Sequence, residues 1–139
     1  RRQRQMCIRD RAYDHVFGCF KLPKSTDEEK AARSAAIQEA TRFAALVPMQ
    51  VARNACELME IIADVARLGN QNAITDACVA MMAARSAVLG ALLNVRINLG
   101  SLKDKTFVDE LKREADHLEQ LACMREKELL EVVNQELNQ

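Results

Sequence analysis

Residues 69–99 read GNQNAITDACVAMMAARSAVLGALLNVRINL, and this stretch decides the fold. Gly69 and Asn70 suit a left-handed helix end and a short loop. Thr75 is placed to cap the helix that follows, with Asp76 in its first turn and Leu99 near its end. Along that helix Asp76, Ala80, Ala83, Ala87, Ala91, Asn94 and Asn98 are spaced 4, 3, 4, 4, 3 and 4, so they share one face. Alanines there let a neighbouring backbone come close. Asp and Asn on a packed face need partners, because an orphaned buried polar group costs roughly 1–3 kcal/mol. Two readings follow: the polar groups lock the register of a helical bundle, or they contact a ligand.

The rest of the chain extends the same architecture. Thr26-Asp27-Glu28-Glu29 is a capping box, so a helix should start near Asp27. Its pattern runs to Leu68-Gly69, with Pro48 in the middle. Pro48 removes a backbone donor and crowds the carbonyl of Ala44, which predicts two helices at an angle or one long bent helix. A first helix over about 7–20 ends at Lys21-Leu22-Pro23-Lys24-Ser25. A last, amphipathic helix over about 104–136 carries Phe107, Leu111, Leu118, Leu121 and Val132 among many Lys and Glu. The expected fold class is all-α: an antiparallel helical bundle with long, Pro-kinked helices, forming a dimer.

Composition agrees with that class. The 139 residues are 49% hydrophobic with 4% aromatics, no Trp and few Gly or Pro, the profile of one Ala-rich helical domain without a sheet. Net charge is zero, yet residues 1–11 hold five Arg and one Asp, which leaves −4 for residues 12–139. A basic tail of this kind can release counterions from phosphate, but RRQRQMCIRDR also resembles a translated adapter. The expectation is a non-native basic segment at 1–11, a partial helical domain at 12–139, and no nucleic-acid partner. Five widely spaced cysteines point to reduced thiols and a cytoplasmic setting. There is no secretory segment, and no apolar run approaches the roughly 20 residues that span a bilayer, so no membrane partner is expected.

Glu114 and His117 form Glu-x-x-His, half of a di-iron motif, but Ala12 stands three residues before His15, the only other histidine. No metal site is expected. P-loop and Gly-x-Ser-x-Gly motifs are absent as well.

Several ordered pieces resemble one family. These are Asp14 and Phe17 followed by Phe20-Lys21-Leu22-Pro23, then Ala35-Ala36-Ile37-Gln38-Glu39-Ala40, Val47-Pro48 with Val51-Ala52, Gly69-Asn70, Thr75-Asp76, and Asn94-Val95-Arg96-Ile97-Asn98-Leu99. Together they are similar to the cyclodeaminase/cyclohydrolase family of folate enzymes, which includes the cyclodeaminase domain of formimidoyltransferase-cyclodeaminase. Two features depart from the family pattern: the opening Pro-Gly-Gly-Gly-Ser loop and its helix, about the first third of the domain, are not found here, and Cys78 stands where many relatives have Gly.

The resemblance implies closure of 5-formimidoyltetrahydrofolate to 5,10-methenyltetrahydrofolate with loss of ammonia. Hydrolysis of the methenyl bridge and a catalytically silent helical dimer remain alternatives. The chemistry needs no metal or cofactor, the tetrahydrofolate derivative being substrate. It does need a base for the N10 proton, a donor for the leaving amine and groups that hold the pterin. Asp76 and Asp14 are the catalytic candidates. Asn70, Asn94 and Asn98 are candidates for pterin hydrogen bonds, and Arg53 and Arg96 for the glutamate carboxylates, although either arginine also suits a bundle-edge charge. Asp76 and Asn94 are 18 residues apart, about 27 Å on a straight helix, so they meet in one cleft only across a homodimer.

Overall fold

A computed structural model describes residues 8–137, which form four α-helices with no strand among the described residues. Helix α1 is Ile8–Phe20, α2 Asp27–Leu68, α3 Ile74–Leu99 and α4 Lys105–Leu137; a 3-10 turn at Gln71–Ala73 leads into α3. Seven residues of the basic segment at 1–11 lie outside the described residues, and the other four open α1.

The capping box forms as the residues dictate. Thr26 Oγ1 accepts from the Glu29 N–H at 3.1 Å, and Glu29 Oε2 accepts from the Thr26 N–H at 3.2 Å. From there α2 continues without interruption through Pro48 to Leu68. The carbonyl of Ala44, which Pro48 cannot engage for want of an N–H, accepts instead from Asn98 Nδ2 of α3 at 3.3 Å. An interhelix bond therefore replaces the missing link in the α2 ladder.

The inner face of α2 carries Ala45, Met49, Ala52, Cys56, Met59 and Ala66, a 3-4 alternation of small and large side chains. Met81, Ala84, Val88, Leu92, Val95 and Leu99 of α3, and Phe107, Leu111, Ala115, Leu118, Ala122 and Leu129 of α4, complete the core. Large residues on one helix fill the space left by alanines on another. Cross-helix bonds fix the directions. Asn98 meets Ala44 and Ser101 meets Gln38, so α3 runs antiparallel to α2. Arg53–Glu114, Cys56–Leu118 and Glu60–Arg125 rise together, so α4 runs parallel to α2 and antiparallel to α3.

Three local expectations are corrected. Gly69 is extended, at φ −84° and ψ −168°, and no described residue has positive φ. Glycine is required for room: a Cβ there would sit 2.4 Å from the Val65 carbonyl oxygen, to which the Gly69 N–H donates at 2.8 Å. Thr75 does not cap α3. The N-cap falls two residues earlier, at Ala73, with no side-chain cap, because Asn70 Oδ1 takes the Asn72 N–H at 3.0 Å and starts the 3-10 turn that feeds the helix.

The small-residue stripe, finally, is not the packed face. Ala80, Ala83 and Ala87 are exposed, and only Ala91 of the stripe's alanines is buried. Helix α3 is apolar all round, since Val79, Met82, Leu93 and Ile97 are also exposed, so small-residue spacing alone does not select the inward side. For the same reason its 26 residues are long and apolar enough, by length and composition, to cross a membrane, unlike the expectation drawn from apolar runs. In the bundle its inner face packs on α2 and α4.

Candidate functional site

Helix α1 lies against the N-terminal half of α2. Ala12 and Cys19 of α1 and Ala40 of α2 are small and buried, which permits close approach. The guanidinium of Arg33 donates twice to the Phe20 carbonyl, at 2.9 and 3.3 Å, and pins the C-terminus of α1 to α2. Beside this contact the two helices leave a groove of about 500 Å³ lined by Asp14, His15, Gly18, Cys19, Leu22, Ala36 and Glu39. Its size suits a small-molecule site. Gly18 adds no side chain to its wall, and a Cβ there would meet nothing within 4 Å. The side chains of Asp14, His15 and Glu39 are exposed along this open groove and make no hydrogen bond or ion pair among the described residues.

The same end of the bundle holds the close of α3. Gln38, next to Glu39, donates to the Ser101 carbonyl at 2.9 Å and accepts from the Lys103 N–H at 2.8 Å. Arg42 pairs with Asp104 at 3.5 Å and lies over the Phe107 ring, 4.1 Å from its centroid. The α3–α4 connection is thereby fastened to α2 one turn from the groove.

The expected site residues divide by place. Asp14 lines the groove. Asn98 lies near that end, but its amide nitrogen donates to both Ala44 and Asn94 carbonyls, at 3.3 and 2.8 Å. The Asn94 amide is turned onto its own helix, donating to Gly90 at 2.8 Å. Asp76 is exposed at the opposite end of α3, and Asn70 there serves its own turn; 22 residues of helix put Asp76 about 33 Å from Asn98. One chain does not bring these groups together.

Arg53 and Arg96 are both committed to α4. Arg53 grips Glu114 with two bonds of 2.6 and 2.7 Å. Arg96 reaches Asp116 at 2.9 Å and also Glu119. The Arg53 hydrogen bonds hold the Glu114 carboxyl below the usual carboxylate range against the opposing effect of burial, and Arg53 itself is raised. Arg96 is raised by Glu119 and then Asp116. These are the bundle-edge charges of the structural alternative, and the Glu114 of the di-iron half-motif is one of them. Burial pushes the Cys56 and Cys78 thiols up, which suits packing rather than nucleophilic roles.

A larger crevice, about 630 Å³, lies between the far ends of α2 and α4 and includes Glu60, Asp64, Arg67, Arg125 and Leu129. Its arginines are bound to Asp64 and to Glu60, its remaining carboxylate is Glu128, and no histidine lines it. Sequence reasoning missed His15 and Glu39. Glu39 stood inside the quoted Ala35–Ala40 run and His15 beside Asp14, but only the packing of α1 on α2 joins them.

Fold and groove define a class: an all-helical bundle with an open groove between α1 and α2 lined by two carboxylates and an imidazole. The model of the formiminotransferase-cyclodeaminase family matches residues 3–117, and the chain belongs to that family. It is 40% identical over 127 residues to the methenyltetrahydrofolate cyclohydrolase of Methylorubrum extorquens, covering 91% of this chain and 61% of that protein. It is 36% identical over 112 residues to the formimidoyltransferase-cyclodeaminase of Rattus norvegicus, covering 81% of this chain and 21% of that protein. Among solved structures, the formiminotetrahydrofolate cyclodeaminase of Thermotoga maritima superposes with a TM-score of 0.73 at 27% identity, over 90% of this chain and 60% of that one. The chain thus spans less than two thirds of the length of these relatives.

Proposed function

We propose that this chain acts on tetrahydrofolate derivatives, closing 5-formimidoyltetrahydrofolate to 5,10-methenyltetrahydrofolate with release of ammonia. Family membership over most of the chain carries this reading, and the free acid–base groups of the α1–α2 groove support it. Ring closure asks little beyond proton transfer and positioning. N10 attacks the formimidoyl carbon, a tetrahedral centre forms, and the amine leaves once protonated. Asp14, which lines the groove, is the catalytic candidate that this reading keeps.

Hydrolysis of the methenyl bridge is the second reading, favoured by the 40% identity to a protein named for that activity. Water would take the place of the amine in the same groove. A homodimer in the cytoplasm is part of the proposal. The exposed apolar side chains Val51, Leu58 and Val65 of α2 and Val79, Leu93 and Ile97 of α3 support it, and a two-fold interface is the route by which Asp76 and Asn70 of one copy would reach the groove of another.

The test offers each folate separately and follows the near-ultraviolet absorbance of the methenyl bridge. Rising absorbance with equal ammonia release from the formimidoyl substrate is the expected result. Loss from the methenyl substrate without any rise from the other supports hydrolysis, and no change with either overturns both.

A further inference from the structure

We propose that His15 is the proton carrier of this reaction, working across the α1–α2 groove from Glu39 and beside Asp14; the inference rests on the folate reading above. Three observations lead to it. His15 and Glu39 come from different helices and line one open groove. Among the described residues neither they nor Asp14, all three exposed, makes a side-chain hydrogen bond or ion pair, whereas Arg53 and Arg96 are bound to α4 carboxylates. Gly18, one helical turn from Asp14 and three residues from His15, adds no side chain to the wall of that groove, and a Cβ there would stand in open space.

The chemistry asks for one group that first accepts and then donates. On the protonated formimidoyl group, the N10 lone pair forms the new C–N10 bond while the C=N π pair moves onto the formimidoyl nitrogen, leaving an amino group. The N10 proton passes to His15. The resulting imidazolium gives a proton to the amino nitrogen on the same carbon, the C–N bond breaks with its pair on departing ammonia, and the N5 lone pair completes the methenyl cation. Charge is conserved, and His15 returns neutral. An imidazole suits both directions of transfer near neutral pH. Glu39 and Asp14 supply negative charge opposite the imidazolium and the cationic bridge, where it stabilises the developing charge. Asp76, at the far end of α3, is not among the residues that line this groove.

The decisive experiment measures turnover of the 139-residue chain and of its His15→Ala variant, with and without added imidazole, and His117→Ala as control. His15→Ala should lose on the order of 100-fold or more in turnover, recover part of it with imidazole, and bind 5,10-methenyltetrahydrofolate within about twofold of the parent. His117→Ala, on the exposed face of α4, should leave turnover unchanged. Full activity in His15→Ala, or loss without rescue, overturns this assignment alone. A parent chain that turns over neither folate overturns the folate reading and this inference with it.

Discussion

Replacing Asn98 with alanine is expected to destabilise the bundle by an amount that depends on Pro48. Asn98 Nδ2 is the donor that reaches the Ala44 carbonyl, at 3.3 Å, and Pro48 is the reason that carbonyl has no helical partner. Asn98→Ala therefore removes one interhelix hydrogen bond and leaves a half-buried acceptor unpaired. That costs about 1–3 kcal/mol, or roughly 4 °C of Tm per kcal/mol at this chain length. In a Pro48→Ala background residue 48 regains its N–H and can bond Ala44 within α2. Asn98→Ala should then cost only the local bond to Asn94, about 0.5 kcal/mol. The effect of Pro48→Ala itself cancels in the double-mutant cycle. Denaturant titration of the four proteins should give a coupling of about 1 kcal/mol or more. Equal costs of Asn98→Ala in both backgrounds would refute the exchange of one bond for the other.

Acid titration tests the Arg53–Glu114 pair. Since the folded Glu114 carboxyl is held low, its contribution is present above the ordinary glutamate value of about 4.3 and is lost as pH falls through the folded value. Both side chains are about one-third exposed, so the contribution should stay within about 1 kcal/mol, and Glu114→Gln should flatten the denaturation midpoint against pH below about pH 4. Gly69→Ala should lose about 1–3 kcal/mol in thermal or denaturant unfolding, because its Cβ would press on the Val65 carbonyl oxygen. Gly18→Leu should leave stability unchanged or raise it by up to about 1 kcal/mol, yet weaken folate binding measured by calorimetry, as the new side chain occupies the groove.

Features set by neighbours in sequence could be read directly. The Thr26–Glu29 box needs only four residues, and the limits of α2 followed from it and from Gly69. Pro48 announced an orphaned carbonyl at Ala44, but the partner that satisfies it lies 54 residues on, and register is needed to find it. The inward face of α3 was misread for a similar reason: with apolar residues on every side, its burial is decided by what α2 and α4 present. Arg53 and Arg96 looked equally able to meet a ligand or another helix until Glu114, Asp116 and Glu119 of α4 arrived beside them. Of the candidate site, Asp14 was legible. His15 and Glu39 were not, because the groove that unites them is made by small residues, Ala12, Cys19 and Ala40, drawing two helices together.

The most direct test of where this chain holds its substrate is a backbone amide shift map on adding 5,10-methenyltetrahydrofolate. The α1–α2 groove predicts shifts concentrated at 14–22 and 36–39, joined by 70–76 where a partner copy reaches the groove. Shifts centred around Glu60, Arg67 and Arg125, with 14–22 and 36–39 unmoved, would contradict it.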